Sequence, residues 1–243
     1  MDALRPFLKL SLWLLITIAS PALWAAPTTV LQPFNAEYSI DWNGGLAMSG
    51  TTSRSLKQQD DHSWLFKSSA VSLLAGIEET TQVTWHNQQI RPLNYHYNRS
   101  VLGKKRVVTI SFDWDKMEAT NTVKDKPWKM PVNEQVQDKL SYQLLLQQLL
   151  AEGEKEFAFD VADGGHLKQY RFAVTGEETV SAPIGEYQAI QVTRLHDEDS
   201  ERQTLIWFAP ALNYQIIKLH HVEDKGKAYT LMLQKLDMGS AEK

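Results

Sequence analysis

Apolar and polar residues alternate along most of this chain, which is the pattern of strands that bury one face. Residues 34–42 alternate without a break, and comparable runs recur nearly to the C-terminus. Because successive side chains of a strand point to opposite faces, these runs predict a half-buried antiparallel sheet. About thirteen strands are predicted, near residues 34–42, 46–57, 63–74, 79–86, 90–99, 105–114, 117–123, 155–162, 167–175, 187–195, 202–209, 214–222 and 228–237.

One segment has helical spacing instead. Leucines and other apolar residues recur at three and four residues between positions 133 and 152, which predicts a helix over about 134–152. Asn133 or Asp138 can cap its start, and Gly153 can end it. Only three residues interrupt the apolar surface of its last three turns: Gln143, Gln147 and Gln148. A helix that is apolar around most of its circumference is buried on more than one side.

The two patterns together predict the fold class. A sheet of about thirteen strands seldom stays flat, because strand twist makes it curl. We therefore expect an all-β fold in which a single curled antiparallel sheet, half-barrel or barrel-like, wraps around one apolar helix.

The N-terminus is typical of a secretory signal peptide. Arg5 and Lys9 precede a short uncharged apolar run, and the small pair Ala25-Ala26 follows it. The apolar run is about half the ~20 residues that a membrane anchor needs. We expect residues 1–25 to be removed and the protein to be periplasmic. A linker would follow at 26–33, then one β-rich domain at 34–238 and a tail at 239–243.

Composition narrows the functional classes. The net charge is −4, and −5 without residues 1–25. Such a chain lacks the basic stripe of a nucleic-acid-binding protein; its one basic run, Lys104-Lys105-Arg106, is interpreted as a hairpin end. The absence of cysteine excludes disulfides, thiol catalysis and a lipid-modified N-terminus. No later segment is long and apolar enough to span a membrane, so we expect a soluble monomer stabilised by burial alone.

Five phrases of the sequence together resemble one family. They are Pro33-Phe34-Asn35-Ala36-Glu37-Tyr38; Phe112-Asp113-Trp114; Asp138-Lys139-Leu140-Ser141; Gly176-Glu177-Glu178-Thr179-Val180 with Pro183-Ile184-Gly185-Glu186-Tyr187; and Leu205-Ile206-Trp207-Phe208. Their order and spacing resemble the DUF3108 family of exported bacterial envelope proteins over about residues 33–238. The resemblance implies a curled sheet around a helix, similar in outline to the half-barrel lipoprotein carriers of the periplasm. It implies no catalytic residues.

Motifs for chemistry are incomplete. No pair of the seven histidines has the spacing of a metal site, although His96 and His220 are candidates for a zinc site built from separate strands. There is no nucleophile elbow and no phosphate-binding glycine loop. Acidic pairs would serve a hydrolase only if two carboxylates met across a cleft. We therefore expect no metal, no cofactor and no catalytic activity.

The aromatic residues say more about function than these incomplete motifs do. Six tryptophans follow residue 25, several of them on predicted strands. They indicate either a large filled core or an apolar cavity for an acyl chain. For the cavity, the predicted lining residues are Trp64, Phe66, Trp85, Tyr97, Trp114, Leu144 and Trp207. The apolar loop at residues 73–77 predicts either a lid or docking patch, or a strand with a bulge at Gly76.

The functional hypothesis follows from export, aromatic strands and the resemblance. We expect a protein that binds or chaperones a hydrophobic envelope component, such as a lipid or an acylated protein. The alternative is an envelope scaffold or assembly factor that holds a protein partner through a sheet edge or the 73–77 loop. A cell-envelope hydrolase is the third hypothesis, and it requires convergent carboxylates or histidine at a pocket.

Overall fold

The computed structural model describes residues 31–43, 50–72, 75–197 and 199–239, so the predicted signal peptide lies outside the described residues. The described part contains fourteen strands, one α-helix, α1 (Tyr142–Ala151), and short 3₁₀ helices at Pro210–Leu212 and Asp224–Gly226. The strands are β1 (Phe34–Asn43), β2 (Gly50–Gln58), β3 (Trp64–Val71), β4 (Ala75–His86), β5 (Gln89–Val101), β6 (Lys104–Asp113), β7 (Glu118–Val123), β8 (Lys126–Pro131), β9 (Glu156–Asp163), β10 (His166–Ala182), β11 (Gly185–Leu195), β12 (Gln203–Ala209), β13 (Gln215–Val222) and β14 (Ala228–Met238).

All fourteen strands form one antiparallel sheet. Its order is β8-β7-β6-β5-β4-β3-β2-β1-β14-β13-β12-β11-β10-β9, so the first and last strands pair in the middle. The two edges, β8 and β9, are consecutive in the chain, and α1 connects them. The edges do not pair with each other, and the sheet remains open. The predicted all-β fold, a curled sheet around a single helix, is confirmed.

The sequence pattern missed strand β8 and shortened β10. Strand β8 contains Pro127 and Pro131, which a strand tolerates only at an edge, where it needs no hydrogen bonds on one side. Strand β10 spans 17 residues rather than the predicted nine. It continues past an irregularity between Val174 and Gly176, where its register against β11 shifts and the alternation of side chains breaks.

The helix is shorter than the predicted 134–152 because the residues before it pair with the sheet. The Gln137 N–H donates to the Asp160 carbonyl at 2.9 Å, and its carbonyl accepts from the Ala162 N–H at 2.8 Å. The Asp138 carboxylate then accepts from the Leu140 and Ser141 N–H groups, both at 2.8 Å, and so prepares the first turn. The helix ends before Gly153, whose φ of +88° suits glycine.

Large side chains on the concave face enclose the helix from both halves of the sheet. Leu144 and Leu146 of α1 are fully buried. On the far side, the Tyr142 ring stacks on Phe172 of β10 with centroids 5.6 Å apart. Each half of the sheet therefore buries its apolar face against the same helix.

The three glutamines of the helix make contacts outside the helix. The Arg54 Nη1 donates to Gln143 Oε1 at 2.8 Å, which joins the helix to β2. Gln147 Nε2 donates to the Tyr214 carbonyl at 2.9 Å, and Gln148 Nε2 donates to the Gln88 carbonyl at 2.8 Å. The helix is thus joined by side-chain hydrogen bonds to three separate parts of the sheet.

A buried carboxyl group anchors the start of the helix. Asp138 is completely buried, and the Thr81 hydroxyl of β4 donates to it at 2.5 Å. Burial raises the pKa of Asp138 to about 6, although hydrogen bonds from Thr81, Ser141 and Leu140 oppose the shift. Nearby on β4, burial also raises the pKa of Glu79, which accepts from the Tyr95 hydroxyl at 3.1 Å.

Because both halves of the sheet pack on the helix, truncating a buried side chain of the helix should greatly lower the free energy of unfolding. Leu146→Ala leaves a cavity between helix and sheet, and we expect the free energy of unfolding to fall by about 2–5 kcal/mol. Leu195→Ala is the matched control, because Leu195 is 44% exposed, and should cost less than about 1 kcal/mol. Urea denaturation measures both. Equal losses in the two variants would contradict the central role of the helix.

The buried Asp138 predicts a pH-dependent stability. Its folded-state pKa of about 6 exceeds the usual 3.8, so its contribution is complete below about pH 4 and is lost as the pH rises through 6. In Asp138→Asn this loss is absent. The stability difference between wild type and variant should therefore shift by about 2 kcal/mol against the wild type between pH 4 and pH 7.

Urea denaturation of both proteins across this pH range measures the shift. Asp113→Asn is the control, because a hydrogen bond from Lys116 lowers the pKa of this exposed carboxyl. Its dependence should be small and of opposite sign. Parallel pH profiles for wild type and Asp138→Asn would contradict the prediction.

Candidate functional site

Four of the seven predicted cavity residues, Trp64, Phe66, Leu144 and Trp207, are buried. Trp64 and Phe66 lie on the concave face of β3, and Leu144 lies on the helix. The Phe66 ring packs against Phe34 with centroids 6.0 Å apart. A pocket beside Leu144 measures about 20 Å³, roughly the room for one water molecule.

The other three predicted residues, Trp85, Tyr97 and Trp114, are only partly buried, and Trp207 is buried elsewhere. Trp85, at the end of β4, is 39% exposed, and Tyr97 lies half-buried opposite Glu79. The Trp114 indole donates to the Pro92 carbonyl at 2.9 Å. Trp207 pairs with Gln191 and Lys218, whereas its neighbour Ile206 pairs with Val192 and Leu219, so Trp207 points away from the helix.

On that outer face Trp207 is buried, and it has two charged neighbours. Its indole N–H donates to Glu178 Oε1 at 2.5 Å, and the Lys218 Nζ lies 4.2 Å from the ring centroid. The described structure therefore does not bring the seven residues into one cavity. Their role in ligand binding stays a prediction.

A larger space lies where the sheet fails to close. A groove of about 490 Å³ runs between the β4–β5 turn, the helix and edge strand β9. This volume is within the usual range of ligand sites. The lining residues are Asn87, Gln88, Gln89, Ile90, Glu134, Gln135, Gln137, Leu145, Gln148, Leu149, Glu152, Glu154, Glu156, Phe157, Ala158 and Phe159.

Apolar side chains form the floor of the groove, and two glutamines hold one wall. Leu145 and Leu149 are the half-buried residues of α1 on this side. Gln148 donates to the Gln88 carbonyl, and Gln137 Nε2 donates to the Ile90 carbonyl at 2.9 Å. These bonds fix the β4–β5 turn against the helix and thereby keep the groove open.

The opposite wall is a strand edge with unpaired backbone groups. The Asp160 carbonyl and Ala162 N–H face Gln137, whereas the Lys155 carbonyl accepts from Val174 of β10. Since backbone groups alternate sides along a strand, those of Glu156 and Ala158 point toward the groove. An isolated bridge between Gln137 and Val161 covers the far part of the edge, and no described strand pairs with the outer side of residues 156–158.

The groove has a negative rim. Glu134, Glu152, Glu154 and Glu156 line it, and no lysine, arginine or histidine is among its lining residues. An ion pair at the rim joins Arg91 to Glu134 at 3.7 Å, with Glu134 mostly exposed. The local potential therefore favours a cationic ligand.

The histidine candidates do not meet. His96 pairs with Thr80 on the outer face of β5, and His220 Nδ1 of β13 lies 2.9 Å from Thr230 Oγ1. Six strand positions separate β5 from β13. Among the described residues, no three histidines or carboxylates gather as metal ligands.

The 73–77 loop is described only in part. Leu73 and Leu74 lie outside the described residues, and residues 75–77 begin strand β4, where Gly76 pairs with Ser100. The register irregularity of β4 lies between Gln82 and Val83, not at Gly76. No α-helix in the described ranges is long and apolar enough to cross a membrane.

The groove was not found from the sequence. The available signals were the helix glutamines, the glutamine pair Gln88-Gln89 and the glutamates around Gly153. Each of these is an ordinary surface feature in isolation. Only the fold brings residues 87–90 next to residues 154–159.

Comparison with solved structures supports the fold. A β-barrel-like DUF1849 protein from Brucella abortus aligns at a TM-score of 0.60 with 12% identity, over 86% of this chain and 99% of the other. MucB aligns at 0.34 with 12% identity, over 90% and 57%. A domain described as an outer membrane lipoprotein-sorting protein from Vibrio parahaemolyticus aligns at 0.24 with 11% identity, over 87% of each chain. The fold likeness rests on the first of these.

Comparison with protein families confirms the resemblance seen in the sequence. No curated protein matches the chain. A family model described as "Protein of unknown function (DUF3108)" matches residues 37–234, which is nearly the whole sheet together with its helix. The chain therefore belongs to the DUF3108 family.

Proposed function

We propose that this protein is a non-catalytic binding protein of the bacterial envelope that holds an extended segment of another polypeptide. The segment lies in the groove and adds as a strand to the open edge of β9. The observation that carries the proposal is the free backbone of Glu156 and Ala158 beside an apolar floor. Export rests on the predicted signal peptide at residues 1–25.

Strand addition matches the arrangement of the groove. A peptide that pairs with β9 satisfies the outward N–H and C=O groups of the edge. Its alternate side chains would then reach Leu145 and Leu149 on the floor, while the others face solvent. Backbone bonds supply affinity in this mode, and the apolar floor supplies selectivity.

The negative charge of the groove rim indicates which kind of polypeptide segment can bind. Four glutamates without an opposing cation among the lining residues favour lysine or arginine in the partner. Charge complementarity of this kind mainly raises the association rate and rejects acidic segments. The expected partner is thus an extended basic segment with apolar residues at alternate positions.

A lipid alone fits the groove less well. The pocket beside Leu144 admits about one water, so an acyl chain does not fit there. In the open groove, an acyl chain would cover the backbone groups of β9 without offering hydrogen bonds. Desolvated polar groups without partners cost about 1–3 kcal/mol each.

A substitution at the edge tests strand addition. Ala158→Pro removes the outward N–H and adds a ring at the edge, whereas Ala158→Val keeps the N–H. Proline is tolerated on edge strands, so both variants should fold. Peptides selected from a random phage-displayed library against wild type should bind Ala158→Pro at least tenfold more weakly, and Ala158→Val within threefold. Fluorescence anisotropy measures the affinities.

Two controls separate the alternatives. Glu154→Gln with Glu156→Gln should weaken binding of basic peptides and reduce its dependence on salt. Equal affinities for the proline and valine variants would overturn strand addition at β9. A stoichiometric lipid adduct in native mass spectrometry, with no peptide enrichment, would favour the lipid hypothesis instead.

A further inference from the structure

The end of the sheet opposite the groove has a cationic hairpin tip. We define the β5–β6 tip as Arg99 and residues 101–106. Leu102 and Gly103 form its turn, with φ of +49° and +79°. Leu102 is 71% exposed, and the following Lys104, Lys105 and Arg106 are all exposed. The tip is thus a basic surface with an aliphatic side chain at its point.

The cations of the tip are not neutralised within the described chain. Arg99 and Arg106 pair directly across β5 and β6, so two like charges face each other on one side of the sheet. Directly opposed like charges destabilise a strand pair. No described carboxylate lies within 4.0 Å of Arg99, Lys104, Lys105 or Arg106. The arrangement therefore favours an external anion.

Further aliphatic side chains are exposed beside the tip. Ala75 pairs with Val101, which places the β3–β4 turn next to the β5–β6 tip. Val71 at that turn is 62% exposed, and Val107 and Ile77 are at least 36% exposed. Such side chains are normally scattered on a surface, whereas here they share one end of the sheet with four cations.

We propose that the β5–β6 tip docks on an anionic lipid surface. The lysine and arginine side chains would contact the headgroup phosphates, and Leu102 would enter the boundary between headgroups and acyl chains. Basic residues with exposed aliphatic ones are the combination that binds such interfaces. A nucleic acid would use the same cations but offers no apolar layer for Leu102 and Val71.

Acidic residues at the same end do not cancel this charge. Asp125 in the β7–β8 turn lies beside the tip, because Val123 pairs with Val108, but the exposed Lys124 and Lys126 flank it. Asp224 lies at the β13–β14 turn, six strand positions from the β5–β6 turn, or about 29 Å along the sheet at about 4.8 Å per strand. This exceeds the screening length of about 8 Å at physiological salt. Asp224 is also paired with Arg202 at 2.5 Å.

Docking in this orientation leaves the groove accessible. Strand β5 spans 13 residues between the β4–β5 turn at the groove and the β5–β6 tip. At about 3.3 Å per residue, the two lie about 40 Å apart along the strand. The groove therefore faces away from the lipid surface, and the two sites can be occupied together.

Vesicle cosedimentation tests the proposal. The protein is produced from its full-length sequence, its N-terminus is recorded by intact mass, and all variants share that N-terminus. Vesicles of phosphatidylglycerol and phosphatidylcholine are compared with pure phosphatidylcholine. We expect binding to the anionic vesicles only, at least tenfold weaker for Lys104→Glu with Lys105→Glu and at least threefold weaker for Leu102→Ser. Half-molar salt should release the protein.

The matched control variants change leucine and lysine residues that lie outside the β5–β6 tip. Leu195→Ser alters another exposed leucine, and Lys57→Glu with Lys227→Glu reverses two exposed lysines outside the tip. Both should bind like wild type. Equal binding of the tip variants and controls would overturn the proposal, as would equal binding to neutral vesicles. Tip-dependent binding to a 20-base-pair DNA duplex without vesicle binding would assign the cations to nucleic acid instead.

Discussion

The structure depends on one constraint: a fourteen-stranded open sheet must bury its concave face against a single ten-residue helix. A twisted sheet of this size curls, and the space it encloses must be filled or it would leave costly voids. Aromatic and aliphatic side chains from both halves fill it around Leu144 and Leu146. The chain has no cysteine to compensate for poor packing, so burial of the helix carries the stability of the whole sheet.

The same constraint explains the polar contacts of the helix. Apolar packing alone does not specify how a helix is rotated inside a curved sheet, whereas a buried hydrogen bond is costly to break. Asp138 with Thr81 fixes the start of the helix, and Gln148 with the Gln88 carbonyl fixes its end. These contacts also shape the groove, because they hold the helix and the β4–β5 turn at a set distance from β9. The contacts that pack the helix against the sheet therefore also form the groove.

The sequence predicted the positions of the strands better than the tertiary contacts between them. Period-two alternation located most strands, since it reflects a local rule of strand geometry. It did not place Trp207, because residues 205–209 are apolar throughout and alternation cannot then distinguish the faces. The irregularity between Trp207 and Phe208 further changes the register. The first part of the predicted helix failed for a non-local reason, the pairing of Gln137 with β9. The groove is non-local in the same sense, since sequence spacing does not bring residues 87–90 to residues 154–159.

The acidic rim of the groove and the cationic β5–β6 tip lie at opposite ends of β5. In a closed barrel every strand edge would be paired, and no groove would remain. Here the gap between β8 and β9 leaves an edge that glutamates line, and acidic side chains on an edge discourage pairing with a second copy of the same chain. The cations of the β5–β6 tip lie at the far end of β5, where they do not neutralise that rim. The proposed strand addition by a basic segment would therefore take place away from the cations of the tip.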